Sequence, residues 1–447
     1  MWYRIVESFS GIVHSTDRRS MLANVNWLLA DRLFRILVGL FVSVWMARYL
    51  GTEDFGRLNL ALAIVSFFTV FASLGLDQIL LRDLIKANSD SDRLLGTACF
   101  LKLLAGSCAY LLLTVILLLT DLQDPMVAPL TLILGGSLLF KFSDVVLIWF
   151  ESRVEAKHTV LVQSAVLLAS SLVKVGLILY GAPLIAFAWV LFAEAAITAT
   201  ALLLRYQTRG FRLLDWRFTL SAGKSLLKDA WPIVISSISI AIYMRVDQVM
   251  LGQMVGSASV GIYSAAIRLS ESWFFIPVAL VNSIFPKVLK LRERNTDEYL
   301  LRTQQLYTIT TAVCVPVAAV LSLLSVPLIH FLFGESYHEA GPILALLAWT
   351  GIFVGMGVAR SKWLIAENLQ KIGVYYILIA MASNILLNFF LIPRYGPTGA
   401  AIATLCAQIT TALIAPLFFS KTRISALMLG KSLSPLRWLA LIKELRD

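Results

Sequence analysis

The chain is organised as long apolar segments separated by short polar ones. The apolar segments are rich in Leu, Ile, Ala and Val and lack strand-like alternation, which favours helices over a β-barrel. A hydrocarbon core about 30 Å thick needs roughly 20 apolar residues per helix. The pattern therefore predicts an all-α integral membrane protein with twelve transmembrane helices, at residues 27–49, 58–81, 94–119, 128–150, 159–180, 184–204, 229–251, 260–285, 303–326, 341–359, 373–393 and 398–419.

The lysines and arginines outside these helices fall almost entirely on alternate sides of the membrane. If the N-terminus is cytoplasmic, the cytoplasmic segments carry 28 of the 38 lysines and arginines, and the opposite side carries only Arg48, Arg57 and Arg394. This distribution follows the positive-inside rule, so both termini are predicted to be cytoplasmic. The net charge of +11 mainly reflects this bias and does not indicate a nucleic-acid partner.

The longest internal connection divides the predicted helices into two sets of six. We expect a cytoplasmic N-terminal segment, a six-helix bundle, a cytoplasmic linker, a second six-helix bundle and a cytoplasmic tail, at residues 1–26, 27–204, 205–228, 229–419 and 420–447. Short sequences such as Tyr49-Leu50-Gly51 recur in the second half, here as Met250-Leu251-Gly252. Offsets of about 200 residues suit a duplicated unit. Since six is even, the two bundles are predicted to be pseudo-symmetric with the same orientation.

Ionisable residues inside the predicted helices carry the main functional signal. A charge in hydrocarbon costs from about 2.5 to more than 10 kcal/mol, so it needs a partner or a water-filled cavity. The candidate substrate-binding cations are Arg32, Arg35, Lys102, Lys141, Lys174, Arg245 and Arg268. The candidates for ion or proton coupling are Asp31, Asp144, Glu194, Asp247 and Glu271. The excess of cations predicts a positive central cavity that selects an anionic, phosphate-bearing cargo.

Some of these charges have an opposite charge one helical turn away. Three pairs are spaced three or four residues apart and so share a helix face: Asp31 with Arg35, Lys141 with Asp144, and Arg268 with Glu271. For these pairs, salt bridges that hold helices in register are an alternative to a cavity role. Lys174 and Arg245 lie roughly 22–24 Å from the cytoplasmic ends of their helices and have no acid one turn away. For these two we expect a cavity role, with pairing across helices as the alternative.

The sequence contains no signature of an enzyme or of ATP-driven transport. The four histidines are scattered, and neither metal-ligand spacing nor a P-loop nor a nucleophile elbow is present. The four cysteines lie in apolar segments without a CxxC motif, as packing residues do. We therefore expect a protein that is not an enzyme and has no resident metal. A coupling cation such as Na⁺ or H⁺ is the one cofactor that the sequence leaves open.

Several short motifs resemble those of the polysaccharide biosynthesis proteins. They are Tyr49-Leu50-Gly51 through Phe55-Gly56-Arg57-Leu58, Gly75-Leu76 with Arg82-Asp83, Phe331-Leu332-Phe333-Gly334, and Tyr395-Gly396-Pro397-Thr398-Gly399-Ala400. The resemblance covers essentially the whole chain. It is to the O-antigen flippases of Wzx type within the multidrug/oligosaccharidyl-lipid/polysaccharide exporter superfamily, which also contains the MATE transporters.

The resemblance implies two six-helix bundles that form a V around a central cavity. It also implies a flippase that moves a glycan linked to undecaprenyl pyrophosphate, such as an O-antigen or exopolysaccharide repeat unit, across the inner membrane to the periplasmic leaflet. The resemblance further implies alternating access that is coupled to a cation or proton gradient. By position, Arg32, Arg35 and Arg245 match the cavity arginines that engage pyrophosphate in the family. The implied partners are the lipid-linked oligosaccharide, the lipid bilayer and other membrane proteins of polysaccharide assembly.

Two other functions are open to a protein of this kind. A MATE-like multidrug antiporter would share the architecture, but its cavity should carry acids and aromatic residues with few bases to favour lipophilic cations. A membrane-embedded polysaccharide polymerase or ligase normally has a sizeable periplasmic loop with a catalytic Arg or His. The longest predicted loop on that side, roughly residues 327–340, has about 14 residues. Both alternatives therefore fit the sequence less well than a flippase.

Overall fold

The computed structural model describes the backbone of residues 15–86, 90–120 and 122–438, and the side chains of these ranges from Leu33 onward. Every regular element within them is helical, which confirms the all-α class. The helices are α1 Ser15–Ser73, α2 Asp77–Lys86, α3 Ser91–Leu119, α4 Val127–Gly135, α5 Asp144–Ser152, α6 Ala156–Leu179, α7 Leu184–Thr208, α8 Leu220–Met254, α9 Ser257–Glu271, α10 Phe275–Leu289, α11 Thr296–Leu323, α12 Ser325–Phe333, α13 Ala340–Leu347, α14 Thr350–Ala366, α15 Gln370–Ile409 and α16 Arg423–Ser432.

In the described ranges, 10 helical stretches are long and apolar enough to cross a membrane. Two of them, Leu33–Lys86 and Gln370–Phe418, have 54 and 49 residues, far more than the roughly 20 that one crossing needs. Each contains a glycine in the left-handed region, Gly51 with φ of 72° and Gly396 with φ of 53°. Both glycines lie in loops that the sequence predicts between two helices. The protein is thus a multi-pass membrane protein, while the count of twelve helices and the orientation of the termini stay predictions.

Contacts divide the chain into two compact units. The first contains the described residues of Met1–Ser43, Val65–Asp121 and Ala128–Ser237, and the second those of Val44–Ile64, Leu122–Val127 and Ile238–Asp447. The contacts therefore group residues 44–64 and 122–127, which the sequence places with the N-terminal bundle, with residues of the C-terminal half.

A cluster of aromatic side chains packs together in the first unit. The ring centroid of buried Trp149 lies 5.0 Å from that of Tyr206 and 4.4 Å from that of Phe211. The guanidinium of Arg153 lies 4.6 Å from the Trp149 ring, within the range of a cation–π interaction. Since Phe211 belongs to the predicted linker, this part of the linker packs on the helices of its own unit.

In the second unit, residues 44–64 pack closely against α9. A Cβ atom at Gly56 would lie 1.8 Å from the carbonyl oxygen of Ser257, and one at Gly261 would lie 1.9 Å from that of Thr52. Only glycine permits this approach of two backbones. The hydroxyl of Tyr337 adds a hydrogen bond of 2.8 Å to the carbonyl oxygen of Gly51.

Asp124 ties residues 122–127 into the same unit. Its carboxylate accepts hydrogen bonds from Arg57 Nε at 2.7 Å and from Ser257 Oγ at 2.9 Å. Burial raises the pKa of the Asp124 carboxyl, but the hydrogen bonds from Arg57 and Ser257 outweigh burial and leave the pKa below its ordinary value. The charged form of Asp124 therefore stabilises the folded protein.

This lowered pKa predicts a pH dependence of stability. A carboxyl of this kind contributes its stabilisation above its unfolded pKa and loses it as the pH falls through the folded pKa. We expect the unfolding temperature of the purified protein to fall between about pH 5 and pH 3. The Asp124→Asn variant should be about 1 kcal/mol less stable at pH 7 and should show a shallower acid dependence. Asp215→Asn, at an exposed position, serves as the control; equal acid profiles for Asp124→Asn and wild type would contradict the assignment.

Candidate functional site

In the first unit, Lys174 forms an ion pair between helices. Its Nζ lies 2.8 Å from Oε2 of Glu194, which joins α6 to α7. The sequence leaves pairing across helices as the alternative for Lys174, and this alternative is what the structure contains. Lys174 has no acid one helical turn away, as the sequence indicates, and its partner is 20 positions away on the next helix.

Among the predicted cations whose side chains the structure describes, Lys102 is the most deeply buried, with 0% of its side chain exposed. Its ammonium group donates a hydrogen bond to the carboxylate of Asp77, whose side chain is 53% exposed. Asp77 is missing from the predicted set of acids, although it lies within the apolar segment 58–81. The helical conformation is interrupted at Gly75, where φ is 60°, and α2 begins at Asp77. A search for every Asp and Glu within the predicted apolar segments would have found Asp77 from the sequence.

The remaining candidates of the first unit are on or near α1 and α5. Lys141 Nζ lies 3.4 Å from Oδ2 of Asp144, so the predicted local pair is present. The guanidinium of Arg35 donates to Oε1 of Gln163 at 2.9 Å, which links α1 to α6. The side chains of Asp31 and Arg32 lie outside the described residues, and so does the predicted pairing of Asp31 with Arg35.

In the second unit, Glu271 pairs with a residue of the neighbouring helix. Oε2 of Glu271 lies 3.9 Å from the guanidinium of Arg245 on α8. The predicted pair of Arg268 with Glu271 is therefore wrong, and no carboxylate of the described residues lies within 4.0 Å of the Arg268 guanidinium. A spacing of three residues places two side chains on one face, but it does not decide between that partner and a cation on the helix packed alongside.

Asp247 is a buried carboxylate held by groups from three helices. Only 2% of the residue is exposed. It accepts hydrogen bonds from the Tyr263 hydroxyl and from the backbone N–H of Gln248 at 2.8 Å, and the Thr404 hydroxyl lies 3.2 Å from Oδ2. Within the described part of the chain, no basic side chain comes within 4.0 Å of this carboxylate. As the two-residue spacing predicts, Arg245 does not share a helix face with Asp247.

Asp247 and Glu271 line the same small cavity. Its volume is about 100 Å³, and its wall also contains the polar side chains of Ser270, Thr350 and Gln408. Two acids and several neutral oxygen atoms around such a space suit a proton or a small hard cation. Across the described ranges there is no cluster of three or more His, Cys, Asp or Glu side chains that would hold a metal ion.

Arg360 is an intramembrane cation that the sequence analysis misses. Predicted helix ten ends at residue 359, which assigns Arg360 to a cytoplasmic loop. In the structure, α14 continues to Ala366, and Arg360 is only 5% exposed. The run Trp363-Leu364-Ile365 after the arginine is the signal that the apolar helix continues.

Comparison with known proteins identifies the family. Residues 45–342 match the family model described as polysaccharide biosynthesis protein. The chain belongs to this family. The probable flippase AglR of Haloferax volcanii is 30% identical to this chain over 39% of this chain and 37% of AglR. A putative O-antigen transporter of Escherichia coli is 20% identical over 88% of this chain and 95% of its own length. The first relatives that the chain matches, AglR among them, are aligned over less than half of their own length.

Solved structures show which fold the chain has. The lipid II flippase MurJ, in an inward closed conformation, matches with a TM-score of 0.72 at 18% identity, over 92% of this chain and 91% of MurJ. An inward-facing multidrug resistance transporter of the MATE family matches with a TM-score of 0.68 at 14% identity, over 90% of this chain and 96% of that chain. The chain thus has the fold that these two transporters share. These relatives and solved structures are named as flippases or transporters.

Proposed function

We propose that this protein is a flippase that moves a polyprenyl-pyrophosphate-linked oligosaccharide from the cytoplasmic to the periplasmic leaflet of the inner membrane. The observation that carries the proposal is the family match over residues 45–342. The alignment with a putative O-antigen transporter along most of both chains supports the same class of cargo. In this scheme the polyprenyl tail stays in lipid while the polar head group crosses between charged helices.

We assign recognition of the pyrophosphate to arginines rather than to the lysines. Lys102, Lys141 and Lys174 each have a carboxylate as partner. Arg268 has no carboxylate within 4.0 Å among the described residues, and the contact of Arg245 with Glu271 is long, at 3.9 Å. Arginine also binds phosphate oxygens through two parallel hydrogen bonds, which lysine does not. Arg32 and Arg35 remain candidates on the resemblance.

We place coupling to a cation or proton gradient at the cavity of Asp247 and Glu271. Glu194 and Asp144 are neutralised by lysines, and the side chain of Asp31 lies outside the described residues. Asp247 lacks such a partner, so a proton or a cation bound there offsets the cost of its buried charge. Neutralisation of Glu271 would in turn release Arg245 to bind the pyrophosphate. Gradient and cargo would then act on the same guanidinium.

Reconstitution tests this function directly. Vesicles with the purified protein and a fluorescent disaccharide on polyprenyl pyrophosphate are treated with a membrane-impermeant reductant, which quenches only the outer leaflet. We expect quenching to proceed beyond the outer-leaflet fraction, and faster under an imposed pH or Na⁺ gradient. Combined substitution Arg245→Gln and Arg268→Gln should slow it by about tenfold or more. Arg302→Gln, exposed at the start of α11, is the control for loss of one positive charge.

The same vesicles distinguish the flippase from a multidrug antiporter. Because four of the predicted cations lie within 4.0 Å of an acid, fewer cations are left to attract an anionic cargo than the sequence suggests, and charge alone separates the two functions less sharply. Efflux of a fluorescent lipophilic cation against the gradient, with no movement of the lipid-linked sugar, would overturn the proposal in favour of an antiporter.

A further inference from the structure

A second cavity of the second unit lies beside Arg360. It has a volume of about 530 Å³, within the usual range of ligand sites, and is bordered by α8, α14 and α15. Its wall is mainly hydrocarbon, with Ile240, Phe353, Val358 and Ile377 among the lining side chains. Among the residues that line this cavity, only Arg360 has a charged side chain.

The charge of Arg360 is not compensated by an acid. Its Nη1 donates to the backbone carbonyl oxygens of Thr411 and Ala412, and its guanidinium carbon lies 4.8 Å from the ring centroid of Tyr376. Nε has no hydrogen-bond partner. Among the described residues, no carboxylate lies within 4.0 Å of this guanidinium. Because a buried cation is costly unless an anion pairs with it, the site is incomplete without a negatively charged ligand.

We propose that this cavity binds an anionic phospholipid of the surrounding membrane, with the phosphodiester at Arg360 and an acyl chain along the apolar wall. The single charge of Arg360 matches the single negative charge of a phosphodiester. A pyrophosphate carries more charge than one guanidinium compensates. Basic pockets between transmembrane helices bind such head groups on the cytoplasmic side, where the predicted topology places this end of α14.

The bound lipid would lie next to the proposed coupling site. Tyr243, Met244, Val354 and Gln408 line both this cavity and the one that contains Asp247. Occupancy of the lipid cavity would therefore stiffen side chains that also surround Asp247. The proposal of a lipid site is argued from Arg360 and the cavity, and it does not depend on the proposed transport of a glycan.

Two substitutions address the two parts of the site. Arg360→Gln removes the charge but keeps a donor for the backbone carbonyls. Gly357→Leu fills the cavity, because a Cβ atom there meets no other atom within 4 Å. Gly176→Leu is the matched control: this glycine lies in α6, in the first unit, and its Cβ would also be in open space. Gly357→Leu stays decisive if Arg360→Gln does not fold.

Native mass spectrometry of the delipidated protein, titrated with phosphatidylglycerol or phosphatidylcholine, measures the binding. We expect wild type and Gly176→Leu to bind phosphatidylglycerol at least about tenfold more tightly than phosphatidylcholine. Gly357→Leu and folded Arg360→Gln should each lose about tenfold in affinity for phosphatidylglycerol. Equal binding of the two lipids, or unchanged binding by Gly357→Leu, overturns the proposal. If Gly357→Leu keeps its affinity for phosphatidylglycerol and loses affinity only for added polyprenyl pyrophosphate, the cavity holds the carrier lipid instead.

Discussion

Replacement of Asp247 by asparagine is expected to uncouple transport from an imposed gradient. Asp247 is 2% exposed, and its carboxylate receives hydrogen bonds from neutral groups. Its charge is therefore not compensated by a protein cation, and binding of a proton or a cation would neutralise it. Asparagine keeps the shape of the side chain but neither carries a charge nor exchanges a proton near neutral pH. The acceleration of flipping by a gradient should therefore fall by roughly 5- to 150-fold, the factor of a coupling free energy of about 1–3 kcal/mol.

Vesicles with an imposed gradient of pH or of Na⁺ provide the measurement, and the gradient that loses its effect in Asp247→Asn identifies the coupling ion. Asp144→Asn is the control, because Asp144 is an intramembrane acid that Lys141 already compensates. This variant should respond to the gradient as the wild type does. A full gradient response by Asp247→Asn, at equal protein content per vesicle, would place the coupling elsewhere.

The all-helical class and two of the loops follow from the sequence, since hydropathy depends on composition along the chain and not on distant partners. Gly51 and Gly396 interrupt two long helical stretches at the predicted loops. The end of a helix is harder to predict when a charged residue lies inside it. The hydropathy pattern places Arg360 in a loop, whereas in the structure its guanidinium donates to two backbone carbonyl oxygens in the irregular helix at Thr410–Ile414.

The partners of the charged residues are the part that a single sequence does not reveal. A local rule finds Lys141 with Asp144, three residues apart. The same rule gives the wrong partner for Glu271, because it takes no account of the helix packed alongside. Lys174 and Glu194 are both among the predicted site residues, yet their pairing depends on how α6 and α7 pack, which periodicity does not fix.

The ion pair of Lys102 with Asp77 should respond very differently to the loss of each partner. Asp77→Asn leaves a fully buried ammonium group without a counter-charge, which costs about 3–5 kcal/mol of the free energy of unfolding. Lys102→Met leaves a half-exposed carboxylate at the start of α2, a helix that also carries Arg82, Asp83 and Lys86 and so belongs near water. Because water can solvate that carboxylate, the expected cost of Lys102→Met is about 1 kcal/mol or less.

Equilibrium unfolding of the purified variants in mixed micelles compares these free energies. The double variant Lys102→Met with Asp77→Asn should regain most of the stability lost in Asp77→Asn, because replacement of a buried pair by neutral groups is often close to neutral. Lys141→Met and Asp144→Asn, in a pair with both side chains partly exposed, should each cost about 1 kcal/mol or less and show no such asymmetry. If Lys102→Met proves more destabilising than Asp77→Asn, the ammonium group itself is needed at that position.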